Sequence, residues 1–244
     1  MKKIVLHIPH SSKVIPHEYK KEFLLSESQL EEELLCMTDA YTDILFPQEY
    51  ERVVFPISRL VCDPERFRDD SKEPMSQKGM GVIYTKGSKG QLIRKTQNRE
   101  AIVARYYDSH HYGLNNAVKT ALDETDSCLI LDCHSFSGEP LPYEDDQLTD
   151  CPDFCIGTDA FHTPQKLTEA AIRFFKDRDY SVDVNRPYSG SIVPMAFYKA
   201  DRRVSSIMIE INRSLYMDDS GNRTKGFKEI QNALSDCCRL LSTL

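Results

Sequence analysis

Three apolar runs in the chain lead into polar residues that can do chemistry. Ile4-Val5-Leu6 continues as His7-Ile8-Pro9-His10-Ser11-Ser12. Cys128 to Leu131 continues as Asp132-Cys133-His134-Ser135. The third run, Ser206 to Asn212, carries Glu210 between Ile209 and Ile211. Short, near-continuous apolar runs of this kind read as buried strands of a parallel or mixed sheet. Ligands of open α/β sheets bind beyond the carboxyl ends of the strands, so His10 and His134 stand where reactive groups are expected.

The rest of the pattern supplies the other elements. Strands are predicted over 3–8, 52–55, 60–62, 127–132, 153–157, 181–185 and 206–212. Ser26 is a suitable N-cap for a helix whose stripe is Leu30, Leu34, Met37, Tyr41, Ile44 and Leu45, ending near Pro47. Further helices are expected over 92–122, from Thr163-Pro164 to Phe175, and over 226–241. Residues 63–89 are charged and Gly-rich without a sustained period, which suits either disorder or a functional loop. Strand–helix alternation with long crossovers implies an α/β fold, a mixed and mostly parallel sheet with helices on both faces. No linker or repeat divides residues 1–244, so one domain is expected.

Charge and composition narrow the partners. A net charge of -7 without a dense basic run argues against nucleic acid. No segment approaches a membrane span, and the apolar start is broken too early by His7, Pro9 and His10 to be a signal peptide. A soluble cytoplasmic protein is expected. Its eight cysteines, none in C-x-x-C spacing, then read as reduced apolar residues rather than zinc ligands.

A catalytic metal centre needs about three protein ligands and an open position. His10 and His134 are the natural imidazoles, although either alone could be a loop histidine bonded to backbone. The third ligand is open between Asp39, bracketed by an apolar stripe, Asp43 one turn on, and Asp132. Asp132 shares a strand face with His134 and could instead orient its ring. Glu210, flanked by isoleucines, is either a general base or half of a buried ion pair with Arg213 or Arg59. Arg59 and Arg66 could clamp a substrate carboxylate. The turn from Asn185 to Ser191 would let a ligand approach the backbone at Gly190.

Taken in order, these segments resemble the N-formylglutamate amidohydrolase family. The matching pieces are Pro9-His10-Ser11-Ser12, Thr38-Asp39, 58–66, 106–111, Asp132-Cys133-His134-Ser135, 156–158, 185–192, Ile209-Glu210-Ile211 and 215–217. The resemblance implies a fold like that of zinc carboxypeptidases, and hydrolysis of the amide bond of an N-acyl amino acid such as N-formylglutamate. It implies zinc, or another divalent metal, on His10 and His134, with Glu210 as the catalytic glutamate. Arg59 and Arg66, with Asn185 and Ser191, would bind substrate. The carboxypeptidases carry a ligand Glu three residues after their first His. Lys13 stands there in this chain, and Asp39 is the chosen replacement.

Two departures bear on substrate. Asp63-Pro64-Glu65-Arg66 replaces the family's Asp-Leu-Asn-Arg, and Gly190-Ser191-Ile192-Val193-Pro194 lacks an arginine that the family carries there. Discrimination for an acidic side chain should therefore be weak, unless Arg186, Lys199 or Arg202 fills the vacancy. Two alternatives stand beside this reading. One is a carboxypeptidase-like hydrolase of short peptides or peptidoglycan fragments; the other is a non-catalytic binding module.

Overall fold

The computed structural model describes residues 2–143, 147 and 150–244. Among the described residues six strands form one sheet: β1 (Lys3–Ile8), β2 (Glu51–Val54), β3 (Cys128–Phe136), β4 (Phe154–Gly157), β5 (Val182–Val184) and β6 (Val204–Asn212). Their order is β2-β1-β3-β6-β4-β5. Neighbours run parallel except β4 and β6, which are antiparallel, so the sheet is mixed and mostly parallel. Every residue of β3 and β6 is buried, which is why both read as unbroken apolar runs.

The helices are α1 (His17–Lys20), α2 (Glu27–Met37), α3 (Thr42–Leu45), α4 (Arg99–Ile102), α5 (Ser109–Thr125), α6 (Gln165–Lys176) and α7 (Phe227–Ser242). The two sheet faces differ. Leu6, Leu131, Cys133, Ile207 and Ile209 pack with Phe175 of α6 and Leu234 and Leu241 of α7. On the other face Val5, Ile130 and Val204 pack under Leu114, Val118 and Leu122 of α5. Side chains alternate along a strand. Beyond the cover of α5, that second face therefore presents His7, Asp132, His134 and Glu210. Register draws them together, with His7 opposite Asp132 and His134 opposite Glu210.

Several elements differ from the sequence prediction, each for a local reason. The helix capped by Ser26 does carry its capping box with Gln29, but α2 ends at Met37 instead of running to Pro47. Thr38 is extended and Tyr41 has φ 69°, so Asp39 sits in a break between α2 and α3. Its backbone N–H donates to the His10 carbonyl at 3.0 Å. Residues 60–62 form a turn and not a strand, because Val61 and Cys62 N–H groups both reach the Ser58 carbonyl. The predicted helix over 92–122 begins only at Arg99 and passes through a π-helical turn, Val103–Asp108, into α5. Before it, Ile93 bonds back to Thr85, and the buried Arg94 pairs with Glu22. Strand β3 continues past Asp132 to Phe136, so His134 lies within the strand's end and not beyond it.

The stretch 63–89 is an ordered loop. Two short 3-10 turns, Asp70–Lys72 and Pro74–Lys78, hold it, and Met80, Val82 and Tyr84 bury against Phe55, Leu60 and Ile93. Cys36, Cys62, Cys128, Cys133, Cys155, Cys237 and Cys238 carry free thiols. Among the described residues no helix is long and apolar enough to cross a membrane.

Candidate active site

His10 leaves the end of β1 and is 2% exposed. Its Nε2 lies 2.9 Å from Asp63 Oδ1, whereas its buried Nδ1 has no hydrogen-bond partner. An ionised carboxylate only accepts, so Nε2 donates to Asp63 and Nδ1 is the nitrogen left to face a ligand. Asp63 is held ionised: burial opposes its charge, but Arg59, Arg66 and His10 outweigh that and keep its carboxyl well below the usual range. Arg59 reaches Asp63 Oδ2 through Nε at 3.1 Å and Nη2 at 2.8 Å, and the Tyr84 hydroxyl donates to the same oxygen at 2.8 Å.

His134 repeats this arrangement on β3. Its Nε2 lies 3.1 Å from Asp132 Oδ1, and its Nδ1 lies 3.0 Å from Asp39 Oδ2. Asp132 is braced in turn by His7 Nδ1 at 2.8 Å on Oδ1 and by the Ile192 N–H at 2.9 Å on Oδ2. Burial alone would lower the His134 pKa; Glu65, Asp132 and Asp39 overcome it and raise it well above the usual value. A proton therefore occupies Nδ1 where a cation could compete for it.

Asp39 joins the two histidines. Its Oδ2 lies 3.6 Å from His10 Nδ1, and its Oδ1 accepts from Arg213 Nη2 at 3.1 Å. Burial penalises its charge, yet the two imidazoles hold its carboxyl well below the ordinary value. His10, Asp39 and His134, all buried, offer ligand-type atoms within 4.8 Å of one another. Orphaned His10 Nδ1, two imidazoles each held at the far nitrogen by an aspartate, and a carboxylate between them form a donor set that fits a divalent ion. Asp43 stays outside this group, and Asp132 stands behind His134.

Glu210 is 6% exposed, and its Oε2 has no hydrogen-bond partner. Burial, aided by the Asp39 and Glu65 carboxylates, pushes its pKa up to about 8, against the pull of His134 and Arg213. The ion pair weighed for it from sequence is not formed: Arg213 pairs with Asp39, and Arg59 with Asp63.

These side chains open on a cleft of ≈ 780 Å³ that Arg59, Arg66 and Ser191 also line. Both arginines are committed to protein. Arg66 reaches the Met80 carbonyl from Nε at 3.2 Å and the Tyr84 hydroxyl from Nη2 at 3.2 Å. The Ser191 hydroxyl is bonded to Ser206. Asn185, expected at the substrate, is not among the lining residues; its Oδ1 accepts from the Thr158 N–H at 2.9 Å and shapes the turn instead. Arg186, Lys199 and Arg202 are likewise absent from the lining, whereas Lys78 of the 63–89 loop is present.

Sequence reasoning missed four participants: His7, Asp63, Glu65 and Arg213. The signal for His7 was its parity with Val5, which puts it on the face of Asp132. Asp63 and Glu65 sit in a loop without periodicity, where spacing assigns no partner.

A search of curated protein sequences gives no significant match. Two solved structures are similar in fold. The crystal structure of an N-formylglutamate amidohydrolase from Ralstonia eutropha JMP134 has TM-score 0.79 and 23% identity, covering 100% of this chain and 94% of that one. A gene product from Agrobacterium tumefaciens has TM-score 0.64 and 16% identity, covering 99% and 89%. A model of the N-formylglutamate amidohydrolase family matches residues 2–217. The chain belongs to the N-formylglutamate amidohydrolase family.

Proposed function

We propose that the protein is a metal-dependent hydrolase of the amide bond in an N-acyl amino acid such as N-formylglutamate, with a carboxypeptidase-like site. One observation carries this reading. Two imidazoles and a carboxylate converge with an orphaned nitrogen among them, and beside them Glu210, whose buried Oε2 has no partner, lines the same cleft. His10, Asp39 and His134 would hold the ion, and their nitrogen and oxygen donors suit zinc or a similar divalent metal. When bound, such an ion polarises the scissile carbonyl and acidifies a water.

The chain's own residues do the rest. Asp63 and Asp132 fix the tautomers and ring orientations of His10 and His134. Arg213 pairs with Asp39, whose carboxylate the two imidazoles keep ionised. Glu210 takes the proton of the attacking water and passes it to the departing nitrogen. Its buried setting keeps its pKa close to neutrality, which suits both halves of that transfer. Arg59 and Arg66 set positive potential at the cleft for a substrate carboxylate, with Lys78 also lining it. Free cysteines fit a reducing, cytoplasmic setting, which belongs to this proposal.

The test is metal analysis of protein never exposed to chelator or nickel resin, joined to turnover on N-formyl, N-acetyl and dipeptide substrates. We expect bound divalent metal, formate release from N-formyl amino acids, and loss of turnover on chelation. We also expect N-formylglutamate to exceed neutral N-formyl amino acids only modestly. Chelation-insensitive activity, or activity on dipeptides alone, would overturn the proposal.

A further inference from the structure

The sheet face that carries the proposed metal centre carries a second group of ligand-type atoms. His7, Glu65 and Asp132 lie with one such atom each within 4.8 Å of one another. His7 Nδ1 is 2.8 Å from Asp132 Oδ1 and 3.7 Å from Glu65 Oε1. His7 is fully buried and Asp132 is 2% exposed.

Charge pairing sets this group apart. Asp39 is matched by Arg213, and Asp63 by Arg59. Asp132 and Glu65 have no lysine or arginine partner among the described residues. The side-chain neighbours of the Glu65 carboxylate are imidazoles: His7, His10 Nδ1 at 3.6 Å and His134 Nε2 at 3.2 Å. Buried carboxylates are expected to pair with cations or to coordinate metals. Once an ion at His10, Asp39 and His134 takes the place of the His134 proton, Asp132 and the partly buried Glu65 keep imidazoles as their side-chain partners, and a second divalent charge would match them.

The nitrogen donor can be supplied. His7 Nε2 lies 2.9 Å from His110 Nε2. Without metal the His7 Nδ1–H donates to Asp132; a divalent ion would displace that proton, with Nε2 donating to His110 and Nδ1 left to ligate. Glu65 spans the two groups, with Oε1 toward His7 and Oε2 toward the unpartnered His10 Nδ1.

We propose that His7, Glu65 and Asp132 form a second divalent-cation site, contiguous with the first through Glu65, so that the loaded centre holds two ions. The pairing rests on the proposed reading of His10, Asp39 and His134; the second site stands on its own residues. The competing description is a metal-free hydrogen-bonded brace, in which His7 and Asp132 only orient His134.

Metal stoichiometry separates them. Metal-free full-length protein is titrated with Zn²⁺ by equilibrium dialysis and elemental analysis, beside Glu65→Gln, His7→Gln and His10→Ala. Two equivalents are expected for the unaltered protein, and one for Glu65→Gln and for His7→Gln. His10→Ala should keep an equivalent that is lost on adding Glu65→Gln. Glu65→Gln is isosteric and only partly buried, so it carries the test if the His7 variant does not fold. One equivalent in the unaltered protein, undiminished by Glu65→Gln, would overturn the second site and leave the first intact. Two equivalents that survive both substitutions would also overturn it, because the second ion then sits elsewhere. Absence of binding in every protein would overturn both.

Discussion

Asp63→Asn tests how the proposed ligand nitrogen is presented. Asp63 is fully buried and accepts from Arg59 Nε and Nη2, Tyr84 Oη, His10 Nε2 and the Glu65 N–H. An asparagine keeps the shape but exchanges one acceptor oxygen for a donor. Arg59 stays protonated, so the amide oxygen is expected to remain on its side. The amide N–H₂ then faces His10, and the ring must move its proton to Nδ1. That removes the lone pair. Losing an outer carboxylate of this kind typically costs about 10–100-fold in metal affinity. Stability falls separately, by about 3–5 kcal/mol, because Arg59 is left buried without its countercharge. Competition with a chromophoric chelator reads the affinity, and urea unfolding of metal-free protein reads the stability. Tyr84→Phe is the control: it removes one hydrogen bond, worth about 1 kcal/mol, and should leave affinity within about a few-fold. Asp63→Asn with unaltered zinc affinity and reduced stability would refute the reasoning.

The other predictions follow from the same contacts. Glu210→Gln should retain metal while losing about 10²–10⁴ in kcat, measured by formate release; near-normal turnover would make Glu210 structural. Burial first, and then neighbouring histidines, lower the His110 pKa to about 2, from an unfolded value near 6.5. The folded state thus keeps it neutral. Its stabilisation is complete above about pH 6.5 and is lost as pH falls toward 2, by up to about 1.4 kcal/mol per pH unit. Urea unfolding between pH 7 and roughly 4.5 should show this slope, reduced in His110→Gln; an equal slope in both proteins would contradict it. At Gly157 an added Cβ would lie 2.3 Å from the Gly190 carbonyl. Gly157→Ala should therefore displace the turn whose Ile192 N–H braces Asp132, at a cost of about 1–3 kcal/mol by urea unfolding; a neutral effect would show that the turn yields freely.

The strands that carry His10, His134 and Glu210 were legible because burial on both faces leaves uninterrupted apolar runs, and a polar residue inside one stands out. Asp39 was legible as an acid within an apolar stripe, although its setting was not. The stripe reads as one helix, and only the tertiary bond from its N–H to His10 breaks that helix at Thr38. The 92–122 prediction overran for a similar reason: Ile93 and Arg94 fit a helical pattern locally but pair with the loop from 63 to 89. Asp63, Glu65 and Arg213 act through contacts across tens of residues, which no period encodes. Asn185 was drawn to the site by its motif, whereas its side chain is occupied by Thr158.

The central claim is that His10, Asp39 and His134 hold a divalent ion. The most direct measurement is an anomalous difference map, recorded at the zinc absorption edge from crystals of Zn²⁺-loaded protein. A strong peak bounded by His10 Nδ1, His134 Nδ1 and the Asp39 carboxylate is the expected result. A map with no peak among these three residues, from protein shown by elemental analysis to contain zinc, would contradict it.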